Sequence, residues 1–174
     1  FDAISARDIE TAAKVKRGML AYHFGGKDEL WKEVADNIFK ALNVALEQRL
    51  VIIKEVSKRE SVALLIRFHV RYYAEHPELS RLMSQEARQD SWRIHYLTDI
   101  HVRPSVTKIK KYIAKELKLT DQQFAHWYYI MVSASATIFS FESECKMLFG
   151  FNPISEESII RHAEMLVGML LKEG

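Results

Sequence analysis

The sequence contains very little cysteine, proline or glycine. Its single cysteine, Cys145, excludes an internal disulfide and any cysteine-rich zinc module. We interpret it as a buried apolar residue of a protein from a reducing compartment, the cytoplasm. With only three prolines and six glycines in 174 residues, long stretches rich in Leu, Ala, Glu, Lys and Met run uninterrupted. These stretches lack period-two alternation, so the sequence predicts an all-α fold.

Long hydrophobic runs and excess charge are also absent. No uninterrupted apolar stretch reaches the roughly 18 residues that span a bilayer, and the first residues do not have the pattern of a secretory signal. We therefore expect a soluble protein without a membrane partner. The formal net charge of +2 is too small for a chain that is basic throughout, so any nucleic-acid binding must come from local charge. Because the chain begins at Phe1 instead of methionine, we expect it to be N-terminally incomplete.

Motifs for catalysis and metal binding are missing too. The sequence has no glycine-rich phosphate loop, no His-Glu-x-x-His and no paired Cys/His nucleophile. His69 and His76 have the spacing of one helix face, but no third ligand stands at a convincing distance in sequence. We therefore expect neither an enzyme nor a bound cofactor or metal.

What the sequence does contain is a series of helix signals. Ser5 with Asp8, and Thr120 with Gln123, have the spacing of capping boxes, and Ser155 is a third candidate cap. Residues 90–103 are ambiguous and are interpreted as a short helix with a turn. The other predicted helices cover residues 5–13, 17–24, 28–54, 61–76, 77–89, 104–117, 122–148 and 155–172.

The first two predicted helices have the spacing of a helix-turn-helix. We expect Ile9 and Ala13 of the first helix to pack against Val15, Leu20 and Phe24. The second helix then has one face left for solvent or DNA, with basic and aromatic side chains suited to phosphates, base edges and thymine methyl groups. The residues on that face are Lys16, Arg17, Gly18, Met19, Ala21, Tyr22 and His23.

Two further charged residues belong to this region. Lys27, at the start of the long helix, is expected to reach a backbone phosphate of DNA. Glu10 lies on the outer side of the first predicted helix and is interpreted as a solvated charge. Residues 1–30 contain five basic and five acidic side chains, so the positive bias is confined to the cluster from Lys14 to Arg17.

This segment resembles the DNA-binding domain of the tetracycline-repressor (TetR) family. The matching residues are Phe1, Ser5, Ile9, Ala13, Val15, Gly18, Leu20, Tyr22, His23, Phe24, Lys27 and Leu30. Four positions depart from the family pattern: Glu10 replaces an alanine, Lys14 the turn glycine, Lys16 a serine cap and Ala21 a tyrosine. Lys14 is expected to adopt the glycine's backbone, with a positive φ costing about 1 kcal/mol, and Lys16 cannot cap the helix as serine does.

The resemblance implies a function and a domain organisation. Residues 1–40 form a helix-turn-helix DNA-binding domain that lacks its first helix, and residues 41–174 form a ligand-binding and dimerisation domain. The protein is then a ligand-responsive, sequence-specific regulator, a repressor released from double-stranded operator DNA by a small-molecule effector. An adaptor or ligand-binding dimer with weakened DNA affinity is the alternative. The side chains expected to bind DNA are Ser5, Lys16, Arg17, Gly18, Met19, Tyr22, His23 and Lys27.

The larger domain is expected to form a homodimer. The predicted helix 122–148 is apolar nearly all round, which is more than one chain's core needs, although a purely intrachain core is the alternative. The side chains assigned to the interface are Phe124, Met131, Ile138, Phe141, Ile159, Ala163, Leu166 and Leu170. An effector site is expected among the middle helices, unless these residues are only core. Its candidates are His69, Tyr73, Met83, Trp92, Trp127 and Met131.

Overall fold

The structure, a computed structural model, describes residues 1, 3–53 and 55–171. All regular secondary structure within these ranges is helical, which confirms the all-α prediction. By its contacts the chain divides into an N-terminal unit, Phe1–Ala41, and a C-terminal unit, Leu42–Gly174. The helices are α1 (Ala6–Ala12), α2 (Met19–Phe24), α3 (Lys27–Ile53), α4 (Lys58–Glu75), α5 (Pro77–Glu86), α6 (Trp92–Tyr96), a π-helical segment (Leu97–Val102), α7 (Arg103–Glu116), α8 (Asp121–Ser140), α9 (Glu142–Phe149) and α10 (Glu156–Leu170).

Helix starts follow the local signals in the sequence. The Ser5 hydroxyl accepts a hydrogen bond from the Asp8 N–H, and the Asp8 carboxylate accepts one from the Ser5 N–H. Thr120 and Gln123 form the same reciprocal pair at the start of α8, and Ser155 caps α10. All three predicted starts are confirmed, because a cap depends only on residues within one turn.

The predicted single helix over residues 122–148 is wrong, because it breaks at Phe141. This residue has φ −106° and ψ 34°, outside the helical region, and separates α8 from α9. Its N–H still donates to the Thr137 carbonyl, and its own carbonyl accepts from the Cys145 N–H. No backbone hydrogen bond is lost at these two groups, so the chain bends there without a glycine or proline to mark the bend. Cys145 itself is buried, as predicted.

The ambiguous stretch 90–103 also differs from its interpretation as a helix with a turn. The helix α6 leads into the π-helical segment and then into α7, with helical backbone at Tyr96 and Arg103. Leu97 and His101 are buried. Segments of π-helix occur mostly as short insertions within α-helices. Residues 92–116 thus form one continuous helical path.

Helix α4 is central to the C-terminal unit, where it packs against α7, α8 and α10. Val62, Ile66 and Val70 on α4 are fully buried. At the edges of this packing Arg67 pairs with Glu164 and Arg71 with Glu156, joining α4 to α10. These exposed pairs align the two helices more than they stabilise them. No helix among the described residues is long and apolar enough to cross a bilayer.

Much of the assigned dimer interface is buried within the chain itself. A side chain that is already covered within its own chain has no area left to give a second copy. The assigned residues that are buried are Phe124, Met131, Ile159, Ala163 and Leu166. Ile138 and Leu170 are half-buried, and Phe141 is exposed. The hydrophobic pattern of the sequence identified the apolar residues of these helices. It did not show which of them are buried within the chain.

Candidate functional site

The connection between α1 and α2 contains two residues with positive φ. Lys14 has φ 56° and Gly18 has φ 88°. The Lys14 N–H donates to the Thr11 carbonyl and the Val15 N–H to the Glu10 carbonyl, which closes the turn. The expectation for Lys14 is confirmed, since it adopts the left-handed backbone that a glycine would take at no steric cost.

Glu10 is not the solvated charge that the sequence suggested. Its side chain is only 7% exposed, and its Oε1 accepts hydrogen bonds from the Gly18 N–H at 2.9 Å and the Leu20 N–H at 3.0 Å. The first amides of a helix have no partner within the helix, and α2 has no side-chain cap of its own. The carboxylate of α1 therefore caps α2 from outside.

Packing between α1 and α2 is smaller than predicted. Leu20 is the buried residue of α2. Val15 and Phe24, which were expected to be covered, are 47% and 40% exposed, so that part of the prediction is wrong. A six-residue helix turns less than twice and directs few side chains at one neighbour. The Glu10 carboxylate joins α1 to the start of α2.

The predicted DNA-facing residues of α2 and its turn do lie together. Met19, Tyr22 and His23 are three and four residues apart and so share one face of the helix. Tyr22 is 81% exposed, and its ring meets His23 edge-on at 5.0 Å between centroids. Lys16 and Arg17 are exposed just before the helix begins. Gly18, with its positive φ, is the N-cap residue.

Lys27 does not extend towards solvent as a phosphate contact would. Its Nζ donates to the carbonyl oxygens of Phe1, at 3.1 Å, and Ile4, at 2.9 Å. It also lies 4.2 Å from the centroid of the Phe1 ring. Two of its three N–H donors are thus used within the chain. These contacts attach the N-terminal residues to the start of α3, and the phosphate role of Lys27 stays a prediction.

Ser5 is exposed, but its hydroxyl is engaged. The Ser5 Oγ donates to the Asp8 carboxylate at 2.6 Å while capping α1. This hydrogen bond, with the one from the Ser5 N–H, holds the pKa of Asp8 below its usual value. The position expected to touch DNA therefore organises the start of α1 in this structure.

The burial of Glu10 changes the charge that the turn presents. Residues 1–30 balance five basic against five acidic side chains. Glu10 is turned inward, whereas Lys14, Lys16 and Arg17 are exposed. The outer surface of the turn is therefore more basic than the count of residues indicates, and it suits an anionic partner.

The six candidates for the effector site are unevenly exposed. Trp92 is exposed and Met83 half-buried, and the remaining four are buried: His69, Tyr73, Trp127 and Met131. A cavity of about 200 Å³ between α4 and α10 is lined by other residues: Ser57, Arg59, Glu60, Ala63, Arg67, Val167, Gly168 and Leu171. The structure does not bring the six candidates to that cavity.

Several buried polar groups lie on α4 and α8. In the described part of the chain, the Trp127 Nε1–H is a buried donor with no hydrogen-bond partner. The His69 Nδ1 lies 2.7 Å from the Leu65 carbonyl, to which it donates, and burial lowers the pKa of His69. Burial also raises the pKa of Tyr73 and raises that of Tyr128 to about 12. These side chains are neutral near pH 7.

No family model matches the chain, and no curated protein matches it at a significant level. Function must therefore be inferred from the residues themselves. The informative features are the exposed face of α2, its attachment to α1 through Glu10, and the unpaired indole N–H of Trp127.

Proposed function

We propose that this chain is a ligand-responsive, sequence-specific DNA-binding transcriptional regulator of the TetR type. It acts as a cytoplasmic homodimer, a repressor that a small-molecule effector releases from operator DNA. The observation that supports this most directly is the exposed basic and aromatic surface of α2 and its turn. That surface belongs to a short helix held against a second one, which is the arrangement of a reading helix and its support.

The chemistry of this surface suits the major groove of DNA. Arg17 offers the planar donor pair that recognises guanine O6 and N7, and Lys16 offers a point charge for phosphate. The rings of Tyr22 and His23 and the side chain of Met19 can contact thymine methyl groups and sugars. Such a set combines backbone attraction with base readout.

Exposed apolar side chains on α8 and α10 support a homodimer. His162 Nε2 donates to the Ala134 carbonyl at 2.8 Å and joins the two helices. Within one turn of that contact, Ile130 on α8 and Met165 on α10 are 57% and 58% exposed. Apolar surface of this kind marks association sites, and a two-fold interface would present two copies of α2 to successive major grooves, about 34–36 Å apart.

The effector proposal is supported by Trp127. A buried donor without a partner costs about 1–3 kcal/mol, and a ligand acceptor that takes this hydrogen bond recovers it. The neighbouring helix α4 contributes buried, neutral His69 and Tyr73. A mostly apolar, uncharged molecule with a carbonyl or ether oxygen fits these groups.

DNA binding is tested by fluorescence anisotropy with labelled DNA from upstream of the protein's own gene. Binding is measured at two salt concentrations against excess random DNA. We expect specific binding that weakens steeply with salt. Arg17→Ala and Tyr22→Ala should each weaken it, whereas Arg88→Ala, at an exposed position of the C-terminal unit, should not. If the intact dimer does not bind DNA at low salt, the adaptor or ligand-binding dimer replaces this proposal.

The dimer is tested separately by sedimentation equilibrium. Met165→Glu places a charge in the proposed interface and should give a helical monomer. Val51→Glu is the matched control, because Val51 is equally exposed on another helix, α3. A dimeric Met165→Glu variant would show that the partner binds elsewhere.

A further inference from the structure

We propose that Glu10 is a positioning residue, whose carboxylate sets the orientation of α2 and thereby the affinity and specificity of DNA recognition. The inference rests on the proposed DNA-binding function and adds to it a residue outside the exposed face. It concerns a side chain on α1 whose carboxylate accepts hydrogen bonds from backbone amides at the start of α2.

Helix α2 has few means of fixing its own position. It contains six residues, far fewer than an isolated helix needs to be stable in water. Leu20 is its buried residue, and its N-cap, Gly18, has no side chain to offer. Lys16 stands where a serine cap would be expected from the family resemblance, and an ammonium group only donates hydrogen bonds.

Glu10 supplies what α2 lacks. A single oxygen, Oε1, accepts from the backbone N–H groups of both Gly18 and Leu20. These amides lie two residues apart in the first turn, so holding both restrains the rotation of α2 as well as its distance from α1. Hydrogen bonds from backbone amides to a carboxylate are stronger than neutral ones, and a negative charge is favourable at a helix N-terminus.

Rotation is what decides which side chains face outward. Successive residues of a helix point about 100° apart, so a modest turn of α2 would move Tyr22 and His23 away from the direction in which they now project. Leu20 alone is a single apolar contact and tolerates such a turn. The two hydrogen bonds to Glu10 do not, because both depend on donor direction.

The experiment compares Glu10→Ala and Glu10→Gln with the wild-type protein. The amide oxygen of glutamine accepts the same two hydrogen bonds, so Glu10→Gln should retain them, whereas alanine cannot. Glu33→Ala is the matched control, since it removes the same charge from an exposed position of the same unit. Two properties are measured in full-length protein: amide hydrogen exchange at Gly18 and Leu20 without DNA, and the ratio of affinities for specific and random DNA.

We expect Glu10→Ala to exchange at least tenfold faster at both amides and to lose at least tenfold in the affinity ratio. Glu10→Gln should lie closer to the wild type than to Glu10→Ala in both measurements, because it keeps the two hydrogen bonds and loses only the charge. Glu33→Ala should match the wild type. A residue that merely stabilised the fold would leave the affinity ratio unchanged at temperatures well below unfolding. If Glu10→Ala does not fold, Glu10→Asp, one methylene shorter, should show a partial loss in both measurements.

The inference is overturned if exchange at Gly18 and Leu20 is unchanged in Glu10→Ala, or if its affinity ratio equals that of the wild type. An equal loss in Glu10→Gln also overturns it, because charge and not geometry would then be responsible. Failure of the proposed function looks different. In that case the wild type itself does not bind DNA, whatever the exchange experiment shows.

Discussion

The two units of the chain are stabilised by different kinds of contact. In the N-terminal unit the buried apolar side chains are few: Leu20, Ala35 and Phe39. Its segments are joined instead by hydrogen bonds between charged side chains and the backbone. Glu10 accepts from two amides, and Lys27 donates to two carbonyls. In the C-terminal unit a large apolar core extends over several helices.

The difference has consequences for what each unit can do. Apolar packing is shared among many side chains and tolerates small shifts, since it has no preferred direction. A charged side chain that bonds to two backbone groups is directional and fails when that one residue changes. The geometry of the N-terminal unit thus depends on single residues, whereas the C-terminal unit tolerates small shifts of its side chains.

The largest effect should come from the apolar core. Ile66 is fully buried on α4, whereas Ile52, on α3, is about half exposed. Ile66→Ala should lower the free energy of unfolding by about 2–5 kcal/mol, through lost burial and the cavity that remains. Ile52→Ala should change it by less than about 0.5 kcal/mol. Chemical denaturation followed by circular dichroism measures both, and equal losses would remove the contrast.

The next effect concerns a single polar contact of the N-terminal unit. Lys27→Ala removes two hydrogen bonds and the contact with the Phe1 ring, and should destabilise this unit by about 1–2 kcal/mol. Hydrogen exchange in α1 and α2 reports the loss. Lys40→Ala, an exposed lysine of the same unit, is the control. If stability is unchanged while affinity for all DNA falls, Lys27 contacts phosphate as its sequence suggested.

The stability of the C-terminal unit should depend on pH through His69. Burial holds the pKa of His69 below its ordinary value of 6.5, so the folded state resists a proton that the unfolded chain accepts. The stabilisation is complete above pH 6.5 and declines as the pH falls below it, by up to about 1.4 kcal/mol per pH unit. Unfolding at pH 7.5 and 5.5 should show a smaller difference in His69→Gln, which keeps a donor but does not titrate. An equal difference in both proteins would mean that folding leaves the pKa of His69 unshifted.

The smallest effects are expected at two lysines with positive φ, one in each unit. Lys14 has φ 56° and Lys118 has φ 52°. Replacement by glycine relieves backbone strain but adds freedom to the unfolded chain, so each variant should gain less than about 1 kcal/mol in stability. Lys111→Gly, within α7, should instead lose about 1 kcal/mol. Thermal unfolding compares the three, and a clear loss in Lys14→Gly would mean that its side chain makes a needed contact.

Local features of this fold were predictable from sequence. The caps at Ser5, Thr120 and Ser155 and the positive φ of Lys14 depend on neighbours in sequence, and all are confirmed. The break at Phe141 was not predictable, because no glycine or proline marks it and both flanking segments favour helix.

Features that depend on distant contacts were missed. The apolar residues of α8 and α10 were recognised, but which of them α4 covers depends on three-dimensional packing. The bonds of Lys27 join positions more than 20 residues apart. The role of Glu10 had a signal in the sequence. Lys16 replaces the serine expected to cap the second helix, and Glu10 places a new hydrogen-bond acceptor on the first helix. Each departure was interpreted separately, so the connection between them was missed.

The cap at Glu10 also restricts the order in which substitutions can accumulate. If an ancestral chain carried alanine at position 10 and serine at position 16, acquiring glutamate first would leave a cap at every step. Acquiring lysine first would pass through a protein in which α2 has no cap. The two positions should therefore show epistasis: Lys16→Ser should weaken DNA binding by itself, but should partly restore the stability of α2 in Glu10→Ala. Once glutamate is present, position 16 is free to evolve as a positive charge.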